Sequence, residues 1–233
     1  LTLPPPAVYS ITMSGTDDVT RYYAARADVY DETAGYFDKD AEALREPLKA
    51  RCRELFKGRD VLEPACGSGY WTRVIAETAA SVFAFDINPE ILEKAAGRCR
   101  DLPNVRFRIA DAYTFLGVPP GFDAAAAVWW YSHVPRANRR QFLAALTGVL
   151  APGALVMFVD QLPYEAARRP AGPRGDTLEE RTLPDGRTFS VIKNFPAEAE
   201  LRADLAPFAA DVRYTARPEE GNWEVVWRVK DSR

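Results

Sequence analysis

Residues 61–69, Val-Leu-Glu-Pro-Ala-Cys-Gly-Ser-Gly, constrain what this chain can fold into more than any other stretch. An apolar run ends on Glu63, three small residues (Ala65, Gly67 and Gly69) turn the backbone, and a helical pattern follows over residues 71–78. Small residues let a backbone approach a ligand closely, and the N-terminus of the next helix aims free N–H groups at that ligand. A second short strand over 81–86 ends on Asp86, and a third over 105–109 runs into Asp111. Each has a carboxylate at its carboxyl end, as the first has Glu63.

The alternation continues with a strand over 122–130, a helix over 136–150, a Pro152-Gly153 turn and a strand over 154–159. Strands and helices alternating at this spacing predict a parallel sheet covered by helices on both faces. Upstream, residues 22–56 show apolar positions at three- and four-residue steps, with Pro47 expected to open or kink the second of two helices. Downstream, Asp185-Gly186 sits at the turn of a hairpin between residues 180–182 and 188–192. A helix over 197–205 and strands over 209–216 and 223–230 complete the pattern. A Glu-Glu-Gly-Asn turn joins the last two strands and makes them antiparallel neighbours. Residues 1–19, Pro-rich in their first dozen, are expected to be a flexible leader to a single domain over 20–233.

Composition narrows the function classes. The chain has 233 residues, 47% of them hydrophobic and 27% charged, which suits one compact unit. A net charge of −3 argues against a nucleic-acid partner, whose phosphates need a basic excess. Three cysteines (Cys52, Cys66, Cys99) form no C-x-x-C pair, and with the single His133 they rule out a zinc-finger or H-E-x-x-H site and leave only a carboxylate-based metal site open; no metal is expected. No apolar run approaches the roughly 20 residues that span a bilayer, and no secretory signal is visible, so no membrane partner and a cytoplasmic location are expected.

The carboxylates point to an adenosine ligand. In doubly wound folds a carboxylate at the position of Asp86 faces a ribose, and Asp111 falls where the base would lie. A dinucleotide is disfavoured because Thr72 stands where its fingerprint needs a small residue, and because Glu63 would confront a pyrophosphate. A sulfonium and an ammonium reverse that sign, and the carboxylate becomes attractive. The competing reading makes Glu63, Asp86 and Asp111 plain helix caps of an unspecialised α/β protein.

VLEPACGSGYW resembles motif I of the class I S-adenosylmethionine-dependent methyltransferases, with Ala65 where a glycine usually stands. Residues 84–88 (AFDIN), 109–113 (IADAY), 122–135 (FDAAAAVWWYSHVP) and 150–161 (LAPGALVMFVDQ) are similar to the later motifs, and the likeness extends over about 20–230. It implies a Rossmann-like, doubly wound seven-stranded sheet, mostly parallel, with an antiparallel C-terminal strand. It implies S-adenosylmethionine as cofactor and a small-molecule methyl acceptor. By the resemblance Glu63 holds the methionine end, Ala65, Gly67 and Gly69 pass beneath it, and Asp86 binds the ribose. Ile87 packs on the adenine, Asp111 accepts from its amino group, and Ala112 lends an N–H; Trp71 and Trp129 complete the cofactor wall. Residues 20–57 resemble a lid in which Tyr22, Tyr23 and Tyr30 either close over the cofactor or serve as core aromatics.

Methyl transfer is an in-line displacement, so the protein's part is alignment, exclusion of water and, for some acceptors, removal of a proton. His133, just past the fourth strand, is the candidate general base or a packing residue. Trp130, Tyr131 and His133 are candidate acceptor contacts, with at most one of Trp129 and Trp130 facing the pocket because strand residues alternate. The 163–195 insert is expected to cap that pocket, with Arg168, Arg169 and Arg174 as solvated surface charge. The favoured function is methylation of an O- or N-nucleophile on a small metabolite, expected from the tryptophans to be aromatic. A nucleic-acid or protein methyltransferase, a non-catalytic cofactor-binding regulator and, last, a nicotinamide dehydrogenase remain as alternatives.

Overall fold

The computed structural model describes residues 16–164, 172 and 175–231. In chain order come α1 (Thr16–Arg26), α2 (Tyr30–Thr33), α3 (Lys39–Leu55), β1 (Asp60–Pro64), α4 (Tyr70–Ala76), β2 (Ser81–Asp86), α5 (Pro89–Arg98) and β3 (Val105–Ile109). They are followed by β4 (Phe122–Val128), α6 (Arg139–Val149), β5 (Leu150–Gln161), β6 (Leu178–Thr182), β7 (Thr188–Ile192), α7 (Glu198–Leu205), β8 (Ala209–Arg217) and β9 (Asn222–Val229).

The main sheet has seven strands in the order β3-β2-β1-β4-β5-β9-β8. β1 to β5 run parallel, and β9 lies antiparallel to both its neighbours. This is the expected Rossmann-like α/β architecture. The strand order reverses between β1 and β4, and the crevice outside the carboxyl ends at such a switch point is where ligands bind in open α/β sheets. Glu63 and the glycine turn sit there.

β4 shows how the sheet is sealed. Ala124 and Ala126 face α3, α4 and α5 with Leu48, Ile75 and Leu92, while Ala125 and Ala127 face α6 and α7 with Phe142, Leu146 and Leu201. Small side chains on this central strand leave volume for large neighbours such as Phe85, Phe158, Trp223 and Trp227, all essentially inaccessible. Asp38 caps α3, its side chain accepting from the N–H groups of Asp40 and Ala41 at 2.8 and 3.1 Å. β6 and β7 form a separate two-stranded sheet that packs on α1 through Val19, Tyr22, Leu183, Val191 and Ile192.

Several boundaries differ from expectation. α1 starts at Thr16 and Val19 is packed, so the end of the expected leader is helical; residues 1–15 lie outside the described residues. Pro47 lies inside α3 and does not open it, because Asp38 already caps the start. β4 stops at Val128, since Trp129 takes φ +60, which no extended strand tolerates. Pro152-Gly153 falls within β5, whose register against β4 shifts between Phe122 and Ala124. Arg168, Arg169 and Arg174 lie outside the described residues. Among the described residues no helix is long and apolar enough to cross a membrane.

Candidate active site

β1 delivers Glu63 into the interior at 2% exposure, and the chain then turns through Ala65 (φ +53), Gly67 (φ +56) and Gly69 (φ +75). At Gly69 a Cβ would meet the Cα and Cβ of Ala95 at 2.9 Å, so glycine is what lets α4 start against α5. At Gly67 it would crowd the Tyr30 hydroxyl at 3.2 Å, so Tyr30 lies directly over the turn. Ala65 adopts the left-handed region without glycine's freedom, at a cost of about 1–2 kcal/mol.

Asp86, at the end of β2, ties the turn to the sheet. Its Oδ2 accepts from the Gly67 N–H and its Oδ1 from the Asn88 N–H, each at 3.0 Å. Each carboxylate oxygen has a further lone pair, so both retain capacity for a ligand hydroxyl. Burial raises the Asp86 pKa against the backbone donors. Burial also pushes Glu63 up to about 8, with the Thr72 hydroxyl opposing and the Asp86 charge assisting. Glu63 Oε2 is buried and has no hydrogen-bond partner among the described residues. A carboxyl in that state fits a cationic ligand group.

Ile87 follows with 44% of its surface exposed, an apolar side chain left open beside the turn. Asp111 accepts from the Tyr113 N–H at 2.7 Å and so shapes the turn after β3, with Ala112 buried next to it. Trp71 is packed in the core between α3, α4 and α5, its indole N–H buried without a partner among the described residues.

Past β4 the tryptophans part company. Trp129 donates its backbone N–H to the Val159 carbonyl at 2.8 Å and its side chain packs at the edge of the α3–α5 core, whereas Trp130 packs on the opposite core near Tyr113 and Phe142. Tyr131 is fully buried, stacked on Phe158 at 5.4 Å, and its hydroxyl donates to Asp204 at 2.9 Å. It packs in the core with Phe142 and Phe158.

His133 is 3% exposed and has both ring nitrogens engaged. Nδ1 lies 2.6 Å from the Ile192 carbonyl, which can only accept, so Nδ1 carries the proton. Nε2 therefore accepts from the Tyr23 hydroxyl at 2.9 Å. Burial holds the imidazole pKa well below its ordinary value, reinforced by the charges of Lys193, Arg181 and Arg26. The ring is neutral near pH 7, and the Tyr23 hydroxyl occupies the lone pair a bare base would use.

Three cations thus surround the Tyr23–His133 pair. Arg181 reaches the Tyr23 oxygen at 3.4 Å and pairs with Glu179 at 2.9 Å. Lys193 donates to Ser132 Oγ at 2.8 Å and to Asp160 at 3.0 Å, while the other Asp160 oxygen accepts the Ser132 N–H. Arg26 is buried over the Tyr30 ring at 4.7 Å and the Tyr22 ring at 5.7 Å, donating to Thr33. None of Arg26, Asp160, Arg181 or Lys193 was marked by a local pattern, because each gains its meaning from a partner far away in the chain.

A sheet of this order, with a glycine turn after β1 and acidic residues closing β1 and β2, defines a Rossmann-like methyltransferase site. A family model described as a methyltransferase domain matches residues 61–153. Demethylmenaquinone methyltransferase of Tropheryma whipplei (strain Twist) is 32% identical over 190 residues, which are 79% of this chain and 74% of that protein. Ubiquinone biosynthesis O-methyltransferase of Xanthomonas campestris pv. campestris (strain B100) is 28% identical over 71% of this chain and 72% of its own length. Among solved structures, a DhpI–SAH complex superposes with a TM-score of 0.73 at 32% identity, covering 94% of this chain and 99% of that one. A DhpI–SAM–HEP complex gives the same TM-score at 33% identity, covering 93% and 99%. The chain belongs to the class I S-adenosylmethionine-dependent methyltransferases. S-adenosylmethionine is its cofactor, and the orphaned, buried Glu63 oxygen and the turn closed over by Tyr30 fit that cation.

Proposed function

We propose that this enzyme methylates an oxygen of a small acceptor bearing an anionic group, held at the Tyr23–His133 pair. The observation that carries the reading is Arg181 Nη1 lying 3.4 Å from the Tyr23 hydroxyl, with Arg26 buried over the Tyr22 and Tyr30 rings. Glu179 and Asp160 pair with Arg181 and Lys193, so Arg26 leaves the surroundings of the pair net positive, which favours an anion over a protonated amine. The relative named for ubiquinone biosynthesis O-methylation supports oxygen as the atom modified. A planar aromatic acceptor is less favoured, because Tyr131 and Trp130 are engaged by the core.

On the cofactor side, Glu63 takes the ammonium, Ala65, Gly67 and Gly69 run beneath the methionine portion, and Asp86 receives the ribose hydroxyls. Ile87 and Ala112 border the adenine with Asp111 at its amino group, and Tyr22, Tyr30 and Trp129 close the wall. When bound, the cofactor supplies a methyl group on a sulfonium, which is already a good leaving group. The protein contributes orientation and a proton path. Tyr23 holds the acceptor hydroxyl and relays its proton to neutral His133 Nε2 only as the methyl transfers, because burial and the nearby cations disfavour a standing imidazolium. The α1 helix and the β6–β7 hairpin exclude water above the pair.

The test is a screen with labelled S-adenosylmethionine against hydroxylated carboxylates, phosphate esters, phenols and amines. Turnover is expected within the anionic oxygen acceptors, and Tyr23→Phe should cut it by roughly 10²-fold or more while leaving SAH affinity near that of the parent. Turnover confined to amines or uncharged aromatics overturns the reading.

A further inference from the structure

We propose that Asp31 is a positioning residue that fastens the helical cover to the cofactor turn and thereby sets Tyr23 against His133. This goes beyond the acceptor reading but rests on its placement of the Tyr23–His133 pair.

The argument begins at Ser68, between Gly67 and Gly69 and only 1% exposed. Its hydroxyl donates to Asp31 Oδ1 at 2.6 Å and accepts from Arg98 Nη1 at 2.8 Å. Arg98 Nη1 also donates to the Ser68 carbonyl at 2.9 Å, and Nη2 to Asp31 Oδ2 at 2.6 Å. Three side chains from three separate parts of the chain thus close a ring of hydrogen bonds. The ion pair within it is shielded, its side chains 19% and 18% exposed, so it is stronger than a solvated pair. The grip falls on the middle of the turn that passes beneath the cofactor.

Asp31 is linked to Tyr23 along the chain and through ring contacts. Both lie on the helical run from α1 through the single 3-10 turn Ala27–Val29 into α2. The Tyr23 and Tyr30 rings pack at 5.9 Å, and Arg26 lies over Tyr30. At its far end the cover is pinned by Tyr36 stacked on Tyr70 at 4.0 Å, with the Arg45 guanidinium 5.1 Å from Tyr36 and that of Arg98 5.8 Å from both rings. Arg98 therefore serves the stack and the Asp31 grip together. Releasing Asp31 frees the middle of the cover, and Tyr23 lies on the stretch that moves. Linkage then requires that whatever the grip adds to cofactor retention, bound cofactor adds equally to the grip that holds the cover carrying Tyr23.

The single histidine supplies the readout, because ¹⁵N-histidine labelling gives one imidazole. Tyr23→Phe with saturating SAH defines the Nε2 resonance when the tyrosine hydrogen bond is lost. In Asp31→Asn, SAH should dissociate about five- to tenfold faster. At saturating SAH its His133 Nε2 resonance should move toward the Tyr23→Phe position. Ser68→Ala should shift both in the same direction by less, and it decides the matter if Asp31→Asn does not fold by circular dichroism. A His133 resonance unchanged from the parent in the folded, SAH-saturated variants overturns the proposal, whether or not SAH dissociates faster. No acceptor enters this experiment, so its failure is distinct from failure of the anionic-acceptor reading.

Discussion

Glu63 is the residue whose charge state decides most. With burial holding its pKa near 8, the free protein keeps a proton there at pH 7 that an approaching ammonium must displace. SAH binding should therefore release about one proton at pH 7, and affinity should rise with pH toward about 8. Calorimetry in buffers of different ionisation enthalpy measures that release, and Glu63→Gln should abolish it. The same shift has a stability consequence of opposite sense. The folded state binds a proton that the unfolded chain gives up, so this contribution is complete below the ordinary carboxylate range and is lost as pH rises through about 8. Two residues on, Ala65 carries a left-handed strain. Ala65→Gly should raise stability by about 0.5–1 kcal/mol, less than the strain itself because glycine loses more entropy on folding. That is a melting temperature about 1–4 °C higher by calorimetry; a lower melting temperature would show that the methyl group is better packed than strained.

At the level of elements, α4 and α5 meet where Gly69 has no side chain. Gly69→Ala drives a methyl to 2.9 Å from the backbone of Ala95 at φ +75, and neither atom can yield without moving a helix. A loss of about 2–3 kcal/mol is expected in denaturant titration, with SAH affinity falling as the turn shifts. The elements were also where the sequence was most readable. β1 and β2 matched expectation because parallel strands buried on both faces read as short apolar runs between turn residues, and β3, at the sheet edge, matched as a short strand whose apolar residues alternate with Arg106 and Arg108. The exceptions were local backbone choices: Trp129 at positive φ, Pro47 tolerated inside α3, and a strand that continues through Pro152-Gly153. The site divides in the same way. Glu63, Asp86 and the glycines were legible because a motif confines them to one strand-turn-helix unit. The Tyr23–His133 bond was not, because its partners lie 110 residues apart and each was legible only within its own segment. Tyr131's burial was not legible either, because it follows β4 in a 3-10 turn whose orientation no local pattern sets.

Over the whole molecule, two cores share one sheet, and β5 contributes to both. Phe158, inaccessible and packed against Tyr131, Phe142 and Trp227, joins β5, α6 and β9. Phe158→Ala should cost about 3–5 kcal/mol and lower the melting temperature by roughly 10 °C. The loss should appear equally in tryptophan fluorescence and in far-ultraviolet circular dichroism if the two cores unfold together. A biphasic transition would mean that they are separable.

The sheet order also bears on synthesis. β9 enters between β5 and β8, yet it follows every other strand in the chain, and it brings Trp223 and Trp227 to the core. Until it emerges from the ribosome, β5 has an open edge and an uncovered Phe158. A nascent chain carrying the complete cofactor turn thus still presents a sticky, unfinished surface, and its first need in the cell is protection from other nascent chains.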